Sequence, residues 1–197
     1  MRLLAPAASV LLLAACATAP VSTDPEAVAD SVAQAAATAP LVNPALPPSQ
    51  QAAAPRRLSG AEHLAATLMG GTLAKQTSQL ALERAQNPRV RQFAGFEIAE
   101  QTALAQVLTD TENPPPVPLD ANHAAALRTL QAQPAGPAFD RAYVLSQIQQ
   151  HQALLLVQQG YLDSFNRSAD TQHIAVLARM SIQQHLVMLQ EIQAMLA

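Results

Sequence analysis

The chain has 197 residues, which suits one domain with an additional segment, and half of them are hydrophobic although only 3% are aromatic. A net charge of -3 provides no basic surface for nucleic acid, and the single Cys excludes both an intramolecular disulfide framework and a Cys-based zinc site. The apolar residues are mainly Ala, Leu and Val, and 6 Gly residues are too few for the turns of a many-stranded sheet. The composition therefore predicts an all-α protein.

The first 15 residues predict a signal peptide. Met1-Arg2 is followed by an apolar run that ends in small residues at Ala15, and this run is shorter than the roughly 20 residues that a membrane-spanning helix needs. The adjoining Leu13-Ala14-Ala15-Cys16 resembles the bacterial lipoprotein signal, in which the Cys becomes the lipid-modified first residue. The alternative is an ordinary signal peptide that ends near a Cys.

A lipidated Cys16 implies a membrane partner and an envelope location. Multiple buried acyl chains provide the stable attachment that one chain lacks. The next residue is Ala17 rather than Asp, which by resemblance to lipoproteins of enteric bacteria favours the periplasmic face of the outer membrane over the inner membrane.

Residues 16–58 predict a disordered tether between this anchor and a domain at residues 59–197. Seven Pro residues are scattered through Ala, Ser, Thr and Gln in this stretch, and no hydrophobic period continues across it.

The domain at residues 59–197 predicts four long helices and one short helix. Ser59 and Glu62 form a capping box at the first start, while Gly70-Gly71 in that helix indicates either a kink or a close helix–helix approach. The apolar stripe of the last helix includes Leu177. Four such amphipathic helices close most simply as a four-helix bundle. The predicted bounds are Ser59 to about Gln86, Asn87 to the run at Asn113, Asp120 to about Ala132, Ala138 to about Phe165, and from the cap Asp170 to Leu196.

Several short motifs are similar to one known family. They are Asn87-Pro88 with Val90 and Phe93, the segment Phe139-Asp140-Arg141-Ala142-Tyr143, His151, and His185-Leu186. Together they resemble the bacterial envelope proteins grouped as domain of unknown function 4142, and this resemblance implies a ferritin-like four-helix fold. It implies no activity.

The chain departs from that family in its polar residues. Glu100-Gln101-Thr102 stands where the family usually has Asp-His-Thr, and Gln76 and Gln152 align with acidic residues of the family. The candidate polar core positions that remain are Glu97, Glu100, Gln101, His151 and His185.

The spacing of the His residues argues against a di-iron centre. Ferritin-like bundles build such centres with Glu-x-x-His on two helices, whereas Ile148 and Ile182 stand three residues before His151 and His185. Abundant Gln favours a hydrogen-bonded polar core with no metal and no cofactor. The alternative is a mononuclear site formed by His151 and His185 with one or two Glu residues, Glu100 and also Glu97, which lies one helical turn away.

The remaining His residues are His63, His123 and His173. Each lies in the first turn of a predicted helix, where a cation is unfavourable, so we expect them to be neutral and exposed.

No catalytic residues emerge from the sequence, since it contains neither a nucleophile elbow nor a phosphate-binding loop. The predicted function is therefore non-enzymatic: an envelope lipoprotein that presents a helical bundle for a protein partner, for self-association or for a structural role. The alternative is a metal-binding or redox stress protein. An apolar ligand between helices remains open.

Overall fold

The computed structural model describes residues 56–197, and these residues confirm the all-α class. The part of the chain described contains five helices and no strand. The predicted signal peptide, and the predicted tether up to residue 55, lie outside the described residues. In chain order the helices are α1 (Gly60–Arg84), α2 (Pro88–Glu112), α3 (Ala121–Gln131), α4 (Pro137–Leu162) and α5 (Ala169–Met195).

Local capping explains where the first three helices begin. The Ser59 side chain accepts from the Glu62 amide while the Glu62 carboxylate accepts from the Ser59 amide, so the predicted capping box is present. Asn87 caps α2 by accepting from the Arg89 amide at 2.8 Å. Asp120 caps α3 in the same way, at 2.8 Å from the His123 amide. These three starts agree with prediction.

The predicted cap of the last helix was wrong. Ser168, not Asp170, is the N-cap of α5, because its hydroxyl accepts from the Thr171 amide at 3.2 Å. Asp170 lies inside the first turn, where its charge still favours the helix N-terminus.

Gly70 and Gly71 in α1 allow close packing of neighbouring side chains, and they do not kink the helix. The helix continues without interruption from Gly60 to Arg84. A Cβ on Gly70 would lie 2.6 Å from a Leu154 methyl carbon, and one on Gly71 would lie 2.4 Å from the Gln101 side-chain oxygen. Both neighbours therefore approach α1 because a side chain is missing there.

The four long helices form a bundle in which α1 packs on α2 and α4, and α5 packs on α4 and α2. The amides of Gln86 and Asn87 donate to the Asp140 carboxylate, so α2 and α4 start at the same end. His63 near the start of α1 bonds Gln158 near the end of α4, so these two helices are antiparallel. The connection through α3 is the one long crossover, as in ferritin-like bundles, and confirms the predicted architecture.

The apolar core lies between α1, α2, α4 and α5. Its largest members include Phe93, Phe139, Tyr143 and Leu189, all nearly inaccessible to solvent. In the predicted stripe on α5 the side chain of Ile174 is half-buried and that of Leu177 is 67% exposed. The other members are buried, namely Ala178, Ile182, His185, Leu189 and Ile192. Among residues 56–197, no helix is long and apolar enough to cross a membrane.

Candidate metal centre

Three of the predicted polar core residues converge in the middle of the bundle. Glu97 from α2, His151 from α4 and His185 from α5 are 0%, 1% and 7% exposed. Glu97 Oε2 lies 3.3 Å from His151 Nε2 and 3.1 Å from His185 Nδ1. The two ring nitrogens are 3.1 Å apart. Three potential ligand atoms thus form a nearly equilateral triangle.

The opposite ring nitrogens of the two His residues face fixed acceptors. His151 Nδ1 lies 2.8 Å from the Gln147 carbonyl oxygen, which can only accept, so Nδ1 carries a proton. His185 Nε2 lies 3.4 Å from a Glu100 carboxylate oxygen, which favours the proton there too. In the neutral rings, the lone pairs of His151 Nε2 and His185 Nδ1 then face Glu97. Metal-binding His residues are generally oriented by such partners.

The Glu97 carboxylate is held on one side and open on the other. Its Oε1 accepts a 2.9 Å hydrogen bond from Gln101 Nε2. Its Oε2 is shielded from solvent and has no hydrogen-bond partner of good geometry among the described residues. An unpaired buried carboxylate oxygen is costly, so a cation at the centre of the triangle would stabilise this arrangement.

The spacing of the triangle fits a single metal ion. Ligands bonded at about 2.1 Å are about 3.0 Å apart on an octahedral face and about 3.4 Å apart on a tetrahedral face. The observed separations of 3.1 to 3.3 Å fall between these two values. Two imidazoles and one carboxylate suit zinc or iron(II).

A proton is the competing cation. Burial by itself would raise the pKa of Glu97, but its contacts with His151 and His185 outweigh burial and lower this pKa to about 2. Burial also opposes a charge on His185, yet the adjacent Glu97 carboxylate raises the His185 pKa. These contacts favour the ionised form of Glu97, whose charge either a proton on His185 or a metal ion can neutralise.

An aromatic ring and a hydrogen-bonded carboxylate surround the two His residues of the cluster. The Phe93 ring stands edge-on to His185, with centroids 5.2 Å apart, and lies 6.0 Å from His151. Ser181 donates a 2.6 Å hydrogen bond to the Glu100 carboxylate and so fixes the group that faces His185. A hydrophobic shell and oriented outer contacts of this kind tune metal affinity.

The five predicted polar core positions lie in or beside this cluster. Their arrangement differs from the mononuclear metal site that the sequence analysis gave as its alternative. That alternative named Glu100 first and allowed one or two Glu ligands from Glu97 and Glu100, whereas Glu97 alone occupies the third vertex and Glu100 lies behind His185. Gln147 and Ser181 were missed, because the sequence offers no signal for a backbone acceptor or a second-layer hydroxyl.

The expectation that His63 is exposed was wrong. It is fully buried, its Nε2 lies 2.6 Å from Gln158 Oε1, and its ring stacks on Tyr161 at 4.3 Å. Burial lowers its pKa. His173 is exposed as expected. His123 is partly exposed and pairs with Asp120 at 2.7 Å.

The fold and the site together define a four-helix bundle with a buried cluster of two imidazoles and one carboxylate. Residues 45–192 match the family described as Domain of unknown function (DUF4142), and because this match covers more than half of the chain, the chain belongs to that family. The predicted resemblance is confirmed. No curated protein and no solved structure matches the chain.

Proposed function

We propose that this bundle binds one divalent transition-metal ion, zinc or iron(II), through Glu97, His151 and His185. The observation that carries the proposal is the triangle of one carboxylate oxygen and two imidazole nitrogens within 3.3 Å of one another. Each ligand residue is oriented by a second contact, so the three donors are organised before an ion arrives.

The role we propose is binding and not catalysis. A cavity of about 10 Å³ lies next to the cluster, lined in part by Glu100, Gln101 and Ile182. That volume is about the minimum for a single water molecule and excludes an organic substrate. Metal storage, metal sensing or metal-dependent stabilisation of the bundle fits this closed environment better than turnover of a substrate.

Metal content and stability test the proposal directly. The full chain should carry Cys16→Ser, so that its single thiol cannot bind metal, and be purified without chelator before exposure to zinc, iron(II) or manganese. We expect about one ion per chain, and at 100-fold excess over Kd a rise in Tm of about 5–10 °C.

A matched pair of double variants locates the ion. His151→Ala with His185→Ala removes two buried ligands and should abolish binding, while His123→Ala with His173→Ala removes two more exposed imidazoles and should leave binding unchanged. Circular dichroism shows whether each variant is folded, and Glu97→Gln offers a nearly isosteric second test. A folded wild-type chain that takes up no metal, or equal loss in both double variants, contradicts the proposal.

The second part of the proposal is an envelope location with lipid attachment at Cys16. Its support is the order of a basic start, an apolar run and Leu13-Ala14-Ala15-Cys16. Labelling with an alkyne fatty acid in a bacterial host should mark the wild-type chain and not Cys16→Ser. A label that persists in Cys16→Ser would place lipidation elsewhere, and an unlabelled wild-type chain would contradict the anchor.

A second candidate function is contact with a protein partner or self-association, as the sequence suggested. The observation that favours it is the set of large apolar side chains exposed on the neighbouring helices α2 and α5, namely Phe96, Val107, Leu177, Met180 and Val187. Analytical ultracentrifugation should detect association that Phe96→Lys with Leu177→Lys removes. A monomer at all concentrations would exclude self-association through this surface.

A further inference from the structure

The three side chains of the candidate metal centre are enclosed by the bundle. Glu97, His151 and His185 are all buried, and the Glu97 oxygen that faces the two rings is shielded from solvent. An ion that binds there must pass other side chains first. Those side chains therefore determine how fast the ion arrives and from which side of the bundle.

Glu100 on α2 connects the surface of the bundle with the buried cluster. Its side chain is 32% exposed to solvent, and its Oε2 lies 3.4 Å from His185 Nε2. It also lines the small cavity of about 10 Å³ beside the cluster, together with Gln101. Gln101 in turn donates a 2.9 Å hydrogen bond to the Glu97 carboxylate. Glu100 is therefore accessible from outside while it contacts the inner groups.

The surface around Glu100 is apolar, which strengthens its attraction for a cation. Glu100 accepts a 2.6 Å hydrogen bond from Ser181 of α5, so it lies where α2 and α5 meet. One turn away on these two helices, the side chains of Phe96 and Leu177 are exposed. Walls of low dielectric focus the field of a charge and raise the local concentration of counter-ions. A cation near this face is thus directed to Glu100.

A second approach to the cluster, between α1 and α2, has the opposite charge. The pocket there has a volume of about 210 Å³ and is lined by Gly71 and Gln101. Lys75 is the one charged residue among the described residues that line it. An ammonium group in the wall repels a divalent cation, whereas the Glu100 carboxylate attracts it. The charges therefore favour approach from the Glu100 side.

We propose, building on the metal site proposed above, that Glu100 is the entry residue of that site. Its exposed carboxylate captures a divalent cation between α2 and α5 before the ion reaches Glu97. The His185 ring contacts both carboxylates, with Nδ1 3.1 Å from Glu97 and Nε2 3.4 Å from Glu100. One side chain thus separates the entry position from the buried position.

The rate of zinc uptake tests this role separately from the amount of zinc bound. The full chain carrying Cys16→Ser is mixed rapidly with zinc, and a fluorescent zinc indicator reports the free ion over time. Glu100→Gln should slow uptake at least about tenfold, because focused charge of this kind accelerates association by about 10- to 1,000-fold. Glu100→Asp keeps the charge and should recover most of the lost rate. Added salt should slow uptake by the wild-type chain more than uptake by Glu100→Gln.

Two variants in other parts of the bundle are the controls. Glu191→Gln removes the same charge from an exposed position near the end of α5 and should leave the uptake rate unchanged. Lys75→Gln should leave it unchanged as well. Uptake that is several-fold faster in Lys75→Gln would place the route between α1 and α2 and overturn the proposal. Circular dichroism checks that each variant is folded.

The dissociation rate separates entry from a purely orienting role of Glu100. If Glu100 only holds the His185 ring, Glu100→Gln should release zinc faster and bind it at the wild-type rate, and that result overturns the proposal. The amount of zinc bound at equilibrium reports on the site itself. A wild-type chain that binds no zinc contradicts the proposed function and the entry role with it, whereas wild-type uptake rates in Glu100→Gln contradict the entry role alone.

Discussion

Gly71→Ala tests how closely the candidate metal centre depends on α1. The new Cβ would lie 2.4 Å from Gln101 Oε1, inside van der Waals contact. Gln101 is a flexible side chain and can move away, but its Nε2 donates the 2.9 Å hydrogen bond to Glu97 Oε1. Movement of Gln101 therefore removes the donor of a buried carboxylate oxygen.

The expected change in stability is the difference of two terms. Loss of a hydrogen bond to a charged group costs about 1.5–3 kcal/mol. Replacing Gly by Ala inside a helix stabilises by about 1 kcal/mol. The net effect is a loss of about 0.5–2 kcal/mol, which lowers Tm by about 1–8 °C for a domain of this size.

The matched control is Gly95→Ala, inside α2, where a new Cβ meets no atom within 4 Å. Gly95→Ala should show only the gain in helix propensity, which raises the free energy of unfolding by about 1 kcal/mol. Urea unfolding of both variants measures the two changes, which should have opposite signs. Gly71→Ala combined with Gln101→Ala should cost less than the sum of the single variants. If Gly71→Ala is as stabilising as Gly95→Ala, Gln101 does not hold Glu97 and the reasoning is wrong.

Three further predictions concern other parts of the bundle. Gly160→Ala would bring a Cβ within 2.3 Å of the Arg56 carbonyl oxygen, so trypsin should cleave after Arg56 faster than in wild type; an unchanged rate would contradict this contact. Asp140→Ala removes the acceptor of two backbone amides in the α1–α2 turn and should cost about 2–4 kcal/mol in urea unfolding. Because burial lowers the pKa of His63 in the folded chain, the unfolded chain binds a proton at this residue more readily as the pH falls. The free energy of unfolding should therefore decrease below about pH 6.5. His63→Phe preserves stacking on Tyr161 and should reduce this slope between pH 8 and pH 5, whereas an identical slope would exclude His63 as its source.

The helix starts could be predicted because their causes are local. Ser59 with Glu62, Asn87 with its following Pro, and Asp120 each satisfy the first amides of a helix with a side chain at most three residues away. The start of α5 was misplaced because Ser168 and Asp170 are both good caps, and only the backbone path selects between them.

The identity of the third ligand could not be predicted because it depends on the register of α2 against α5. Glu97 and Glu100 are one turn apart and point towards the same neighbour. In the bundle, the Glu97 carboxylate lies 3.1 Å from Nδ1 of His185, and the Glu100 carboxylate lies 3.4 Å from Nε2 of the same ring. No local pattern distinguishes the carboxylate that faces the core from the one that orients the ring.

His63 shows a second limit of prediction from the sequence. The helix dipole disfavours a cation in the first turn of α1, but that argument considers α1 alone and does not include the helices packed against it. The end of α4 covers this first turn, and Gln158 accepts from the His63 ring. The buried face of α1 consists mainly of small and polar residues, including Thr67, Gly70, Ala74 and Thr77. The sequence therefore has no continuous apolar stripe that would indicate which face of α1 is buried. A His at the start of such a face is buried by its neighbour helix, and its neutrality follows from burial rather than from the dipole.

Gln101 connects the departures from the family to the chemistry of the site. It stands where the family resemblance places a His, and here its amide donates to Glu97 Oε1. An amide in that place holds the carboxylate in position without competing for the ion, since a Gln nitrogen is not a metal ligand. The same substitution that removes a third nitrogen donor thus orients Glu97 towards His151 and His185. One ion with three protein ligands, and not two ions, is what this set of side chains can hold.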